Sequence, residues 1–291
     1  MRIIQKLKNI INLMRVRQWY KNLVIFLPIF FSKNLFNFKS FSFSFIGFIA
    51  LCLMSSTNYI INDLIDYEKD KKHPEKKHRV LASKKISKKF AKLLVIIFFS
   101  LSIYFSFFIN NLFLVFPTLL FLSTLTYSLF AKNIPLIDLQ FIALNFIIRT
   151  VSGMNAINVG SSPWLLVMVY LLALFLGLSK RLSDKKILGK NPEKHKKVYA
   201  FYTEDLLKNY LTIITAMLLS TYSFYTFLAS TSNNLMMLTI PIVVFILQRY
   251  LHLVLSNHKA GRNTELILFD KHIVCGVLFW LLICFISFYL A

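Results

Sequence analysis

Acidic residues are scarce in this chain: 12 Asp and Glu stand against 34 Lys and Arg in 291 residues, for a formal net charge of +22. Where acids are so few, any cluster of them is informative. Cysteine is scarcer still. Cys52, Cys275 and Cys284 each lie inside an apolar run, without a CxxC pair or a neighbouring His, so they read as small buried hydrophobes and supply neither a disulfide framework nor a thiolate metal site. His73 and His78 flank a basic stretch without a third ligand at metal-binding spacing. No Ser-His-Asp arrangement, GxSxG or GxxxxGK[ST] pattern is present, which leaves nucleophilic catalysis by the protein without support. No repeat of short fixed period is seen either.

The excess of positive charge would suit nucleic acid if it lay on one face of a soluble fold. It does not: the lysines fall in short loops between apolar runs, which makes nucleic acid a poor partner and a bilayer a good one. Hydrophobic residues make up 57% of the chain, 30 of them Phe, and the mean hydropathy is +0.62. This is the composition of an all-α polytopic membrane protein, in which one helical bundle of this length is ordinary.

A helix that crosses the hydrocarbon core needs about 20 apolar residues. Runs of that kind predict nine spans, at 22–39, 41–62, 91–109, 112–130, 134–152, 163–180, 210–230, 235–255 and 272–290. Their connections alternate. The N-terminal segment, the loops 63–90 and 181–209, Lys132, and the group Lys259, Arg262 and Lys271 are basic, whereas 110–111, 153–162 and 230–234 carry no Lys or Arg. The positive-inside rule then puts the N-terminus and both long loops in the cytoplasm, in the inner (plasma) membrane of a bacterium. The start of the chain (Arg2, Lys6, Lys8) lacks a small-residue cleavage pattern and reads as a retained amphipathic segment over 1–21 of one domain spanning 1–291.

The informative acids lie in the stretch Asn62 to Arg79, NDLIDYEKDKKHPEKKHR. On one continuous helix Asp63, Asp66 and Asp70, at i, i+3 and i+7, would share a face. Their mutual repulsion needs a cation, and two sources are available: a divalent metal such as Mg2+ bridging a diphosphate, or the Lys and Arg residues that follow. The plain alternative is a solvated helix end. A second cluster, Lys180, Arg181 and Asp184, follows the sixth predicted span; with spans two and six side by side it would face the acids across a cytoplasmic cavity. Before the first span, RVRQWYKN carries Arg15, Arg17, Gln18, Trp19, Lys21 and Asn22, a density of donors that suits phosphate oxygens as well as an interfacial anchor. Arg149 lies inside the fifth span, where a charge must face a partner or a water-filled space, and Asp138 lies three turns away on the same face.

These motifs together resemble a family. Asn62, Asp63, Asp66 and Asp70 spell NDxxDxxxD, similar to the first aspartate-rich motif of the UbiA superfamily of intramembrane transferases, whose architecture is nine spans with motifs after the second and sixth. RVRQWYKN, HPEKKHR, IIRTVSG, SKRLSD and TELILFDKHI together resemble its decaprenyl-phosphate phosphoribosyltransferase branch. That resemblance implies transfer of phosphoribose from phosphoribosyl diphosphate to a polyprenyl phosphate for a cell-envelope glycan precursor. It implies Mg2+ held by Asp63, Asp66 and Asp70 with Asn62 assisting, donor phosphates held by Lys76 and Arg79, and remaining phosphates by Arg17, Lys21, Lys180 and Arg181. Asp184 would orient the ribose or complete the metal site. Arg149, from its charge within a span, reads either as a structural pairing or as a substrate contact. A homo-oligomer is compatible with this reading. Three departures stand out: Val80 where the branch carries Pro, Lys84 where it carries Gly, and Asp184 where Glu is commoner. The alternatives are a prenyltransferase with an isoprenyl diphosphate donor and a small acceptor, and a lipid-binding or transport protein without catalysis. The first would usually show a second aspartate-rich cluster where Lys180 and Arg181 stand.

Overall fold

The computed structural model describes residues 2–72, 76–188, 197–228, 234–256 and 264–290. His73 and parts of the predicted loops 63–90 and 181–209 fall outside them. Every regular element among the described residues is helical.

The amphipathic start forms helix α1 (Arg2–Met14). A tighter 3-10 segment follows over Val16–Phe26, then the single-turn α2 (Leu27–Phe31), which starts around Pro28. The predicted first span over 22–39 is therefore replaced by two short pieces and a turn. Pro28 has no N–H to continue the ladder, and Lys33 adopts a positive φ of 59° four residues before the Asn37 cap of the next helix.

That next helix, α3 (Phe38–Ile65), starts where Asn37 Oδ1 accepts the Ser40 N–H at 3.0 Å. Helix α4 (Tyr67–Lys72) follows after one residue. Ser87 caps α5 (Lys88–Phe107), and Asn110 caps a 3-10 turn leading into α6 (Val115–Leu129). Helices α7 (Ile137–Ala156), α8 (Pro163–Leu188), α9 (Glu204–Leu228), α10 (Ile240–Leu255) and α11 (Lys271–Phe285) complete the chain. Among the described residues eight segments are long and apolar enough to cross a membrane: 38–65, 88–107, 111–129, 137–156, 163–186, 204–228, 234–255 and 271–290. Eight of the nine predicted spans thus recur with shifted ends.

The chain divides into two compact units. The first comprises Met1–Leu129 with Ile148–Gly160, the second Phe130–Ile147 with Ser161–Ala291. In the first unit α3 is central, packing on α5, α6 and the 3-10 segment. Ser102 of α5 donates to the Ala50 carbonyl of α3 at 2.7 Å, a small-residue contact of the kind that lets apolar helices approach closely. Gly153 marks another close approach, because a Cβ there would collide with the backbone carbonyl oxygen of Ile25. In the second unit α8 and α9 pack together, and α10 packs on α11. The core of this unit runs through Leu171, Phe175, Leu178, Leu182, Leu211 and Tyr250.

Candidate active site

Asp63 lies in the last turn of α3, but the helix does not continue through the aspartate-rich stretch. It ends at Asp66, whose N–H closes onto the Asn62 carbonyl at 2.9 Å with φ −86° and ψ 6°, and α4 begins at Tyr67. The single face expected for Asp63, Asp66 and Asp70 is therefore broken. What the break achieves is convergence of two of the three: Asp63 and Asp70 are buried, with side chains 5% and 4% exposed, and both accept from Arg79. Arg79 Nη1 donates to Asp63 Oδ1 at 3.1 Å and to Asp70 Oδ2 at 2.7 Å. Asp66 is half-buried.

A second guanidinium reaches the same oxygen. Arg15 Nη2 donates to Asp63 Oδ1 at 2.5 Å, and its guanidinium carbon lies 4.9 Å from the Tyr59 ring centroid. Arg15 sits at the joint between α1 and the 3-10 segment in the left-handed region, with φ 52° and ψ 47°. That conformation costs an L-residue of this kind about 1–2 kcal/mol, and strain of this type gathers at functional positions. In the sequence Arg15 is one of several donors in RVRQWYKN, with nothing local to single it out. Its partner is 48 residues away, a distance at which no local pattern betrays the pair.

The rest of that string is stapled to α3. Trp19 Nε1 donates to Ser56 Oγ at 3.1 Å, Asn22 Nδ2 donates to Cys52 Sγ at 3.2 Å, and Ser55 Oγ donates to Asn22 Oδ1 at 3.4 Å. The order 15, 19, 22 against 63, 56, 52 is an antiparallel register. Arg149 completes this layer: it is buried, as the cost of an intramembrane charge requires, and its Nε donates to Asn22 Oδ1 at 2.6 Å. Arg17 is exposed, while Lys21, Asn62 and Lys76 are half-buried.

The basic loop after the aspartates is anchored by apolar residues. Val80 and Leu81 are buried in a cluster with Leu13, Ile60 and Tyr67, so Val80 serves as packing where a Pro was expected. Lys84 adopts φ 59°. This is the left-handed conformation that favours glycine, which explains physically why Gly would suit that position.

In the second unit Asp138 is fully buried and binds Arg181, whose Nε and Nη2 lie 3.1 and 2.9 Å from Oδ2. Tyr202 donates its hydroxyl to Asp138 Oδ1 at 2.8 Å and accepts the Leu136 N–H at 2.8 Å, holding Leu136 at φ 65°. Tyr199 donates to Asp184 Oδ2 at 2.8 Å, and its ring lies under the Arg181 guanidinium at 5.8 Å. Burial raises the ionisation of both tyrosines well above the ordinary phenol range, so both remain donors at neutral pH. Lys185 donates to the Tyr199 carbonyl at 3.3 Å and to that of Tyr202. Sequence reasoning found Lys180, Arg181 and Asp184 but missed both tyrosines. Lys180 is exposed, one residue before the buried Arg181.

The acidic cluster fits a hard divalent cation. Among the described residues no three His, Cys, Asp or Glu side chains converge into a ready cage. Two buried carboxylates that share one cation do converge, and Mg2+ is ordinarily held by one or two carboxylates with substrate phosphates completing its shell.

Residues 24–283 match the model of the UbiA prenyltransferase family. The chain belongs to this family. It is similar to a decaprenyl-phosphate phosphoribosyltransferase of Mycolicibacterium smegmatis, 24% identical over 287 residues that cover 94% of this chain and 90% of the relative. It is also similar to the uncharacterized protein y4nM of Sinorhizobium fredii, 32% identical over 168 residues. That match covers 58% of this chain and 33% of y4nM, so the chain spans about a third of that relative. Among solved structures, a UbiA homolog from Archaeoglobus fulgidus bound to GPP and Mg2+ superimposes with a TM-score of 0.72 at 16% identity, covering 95% of this chain and 99% of that one. The protein is thus a multi-pass membrane transferase with the UbiA fold.

Proposed function

We propose that this protein transfers 5-phosphoribose from phosphoribosyl diphosphate to a polyprenyl phosphate, releasing diphosphate, with Mg2+ as cofactor. The observation that carries the reading is the similarity to a decaprenyl-phosphate phosphoribosyltransferase along nearly the whole of both chains. The chemistry suits the residues. A lipid phosphate is already an anionic oxygen nucleophile, so no general base is needed. Its oxygen forms the new bond to the ribose C1 as the bond from C1 to the diphosphate oxygen breaks, and the diphosphate leaves with the electron pair. Mg2+, when bound, would neutralise that leaving group.

Asp63, Asp66 and Asp70, with Asn62, would hold the metal. Arg17, Lys21, Lys76 and Arg79 would hold phosphate oxygens, as would Lys180 and Arg181, the last fixed in place by Asp138 and Tyr202. Asp184, oriented by Tyr199, would meet the ribose, and Arg149 is a further proposed substrate contact. Basic connections support a cytoplasmic N-terminus and cytoplasmic loops 63–90 and 181–209 in a bacterial cell, on the side where a soluble sugar donor for an envelope glycan precursor is available.

A second reading has one specific observation in its favour: the structurally similar Archaeoglobus fulgidus protein is bound to GPP, an isoprenyl diphosphate. A dual-label incubation separates the two. Purified protein receives phosphoribosyl diphosphate and an isoprenyl diphosphate carrying different radiolabels, together with polyprenyl phosphate and an aromatic acceptor. The proposal expects only the ribose label to enter the polyprenyl phosphate fraction, and Asp66→Asn to lose that transfer while remaining folded. Transfer of only the isoprenyl label would establish the second reading instead.

A further inference from the structure

The two carboxylates proposed for the metal are already neutralised from within the chain. Arg15 and Arg79 both reach Asp63 Oδ1, at 2.5 and 3.1 Å, and Arg79 continues to Asp70 Oδ2 at 2.7 Å. Arg79 Nη1 therefore sits between the two carboxylates, where an ion bridging them would have to sit. The four groups carry two positive and two negative charges. A divalent cation added to this quartet would leave two uncompensated positive charges beside side chains that are only 4–5% exposed, a setting where repulsion is weakly screened. A diphosphate removes that excess, and guanidinium is well shaped to receive its oxygens.

The two arginines are also placed to change partners. Their side chains are 26% and 28% exposed, in contrast to the aspartates. The loop that carries Arg79 is held by other residues: Val80 and Leu81 are buried, and the Arg79 N–H closes onto the Lys76 carbonyl at 2.9 Å. The side chain can leave the carboxylates without taking the loop out of the core. Arg15 is delivered by a left-handed backbone and supported by the Tyr59 ring rather than by a second acid at that point.

We propose that Arg15 and Arg79 are internal counter-cations of Asp63 and Asp70 that exchange the carboxylates for the phosphates of an incoming metal diphosphate, so that metal is admitted together with the diphosphate and not ahead of it. This rests on the metal-diphosphate reading given above. It assigns Arg15 a role beyond positive-inside flank and gives Arg79 two successive partners.

Equilibrium dialysis of the purified full-length protein with Mn2+, at matched free Mn2+ with and without inorganic diphosphate, tests this without turnover. For the unaltered protein the half-saturating Mn2+ concentration falls roughly tenfold or more when diphosphate is present. Arg79→Gln binds Mn2+ alone roughly tenfold more tightly than the unaltered protein and gains less from diphosphate. Arg15→Gln, which leaves Arg79 bridging both acids, shifts the same way by about threefold. Equal Mn2+ affinity with and without diphosphate in the unaltered protein overturns the exchange, and that comparison needs no variant to fold. Unchanged or weaker binding of Mn2+ alone by Arg79→Gln overturns it too. In either case Mg2+-dependent phosphoribosyl transfer, measured separately, would leave the functional reading standing. Failure to bind Mn2+ under any condition would remove both.

Discussion

Two buried Asp–Arg clusters, one in each unit, share the same residue types and differ in almost everything else. Asp138 is 0% exposed and receives two bonds from one guanidinium plus a tyrosine hydroxyl, so its oxygens are committed on all sides. Asp63 and Asp70 are held by two arginines that are each about a quarter exposed and come from separate stretches of chain. The closed pair holds Arg181 in one place; an open quartet with exposed cations can exchange partners. The difference lies in the cations rather than in the acids.

The widest separation between the clusters should appear when each acid or cation is altered alone. Asp63→Asn is expected to lower phosphoribosyl transfer about 10^4-fold, or about 5 kcal/mol of transition-state stabilisation, with little change in the detergent melting curve. If activity and stability fell together, the contrast between the clusters would be lost. Arg181→Met is expected to cost about 3–5 kcal/mol of stability, because it strands Asp138 as a buried charge. The double change Asp138→Leu with Arg181→Met should recover most of this; chemical denaturation in detergent measures both.

Smaller effects sharpen the same contrast. Lys84→Gly relieves a positive φ in the loop that follows Arg79 and is expected to stabilise the first unit by about 0.5–1 kcal/mol, a gain visible as a shift of the denaturation midpoint. Asp270 provides the mildest case. It caps α11 through the Ile273 N–H at 3.1 Å and pairs with Arg249 at 2.8 Å, and the hydrogen bond from Arg249 holds its carboxyl below the ordinary value. A depressed folded-state value contributes stability above the unfolded carboxyl value of about 3.9, and that contribution is lost as pH falls through the lower folded value. The melting difference between the unaltered protein and Asp270→Asn should therefore be constant at neutral pH and shrink below about pH 4. A difference that grew on acidification would reverse the sign.

Much of this was legible in the residues themselves. Eight of the spans follow from apolar runs about the length of a bilayer, and Arg149 was expected in the interior because a charge in a span must be buried against polar groups. The Lys and Arg residues after the aspartates are one of two sources of compensation that the sequence offers, and Arg79 is among them and pairs with two of the acids. The break at Asp66 was not legible, because the i, i+3, i+7 spacing assumes a continuous helix and nothing local signals the stop. Arg15 was hidden by 48 residues of separation from Asp63, and Tyr199 and Tyr202 by aromatic residues being common in this composition. The first predicted span is not one continuous helix, because hydropathy counts apolar residues but not the lost N–H of Pro28 or the turn at Lys33.

The metal dependence of transfer from labelled phosphoribosyl diphosphate to polyprenyl phosphate by the purified protein tests the proposed reaction itself. Lipid-extractable ribose label is expected with Mg2+, abolished by chelator and restored by excess Mg2+. Absence of such label, or label that forms equally well in chelator, would contradict it.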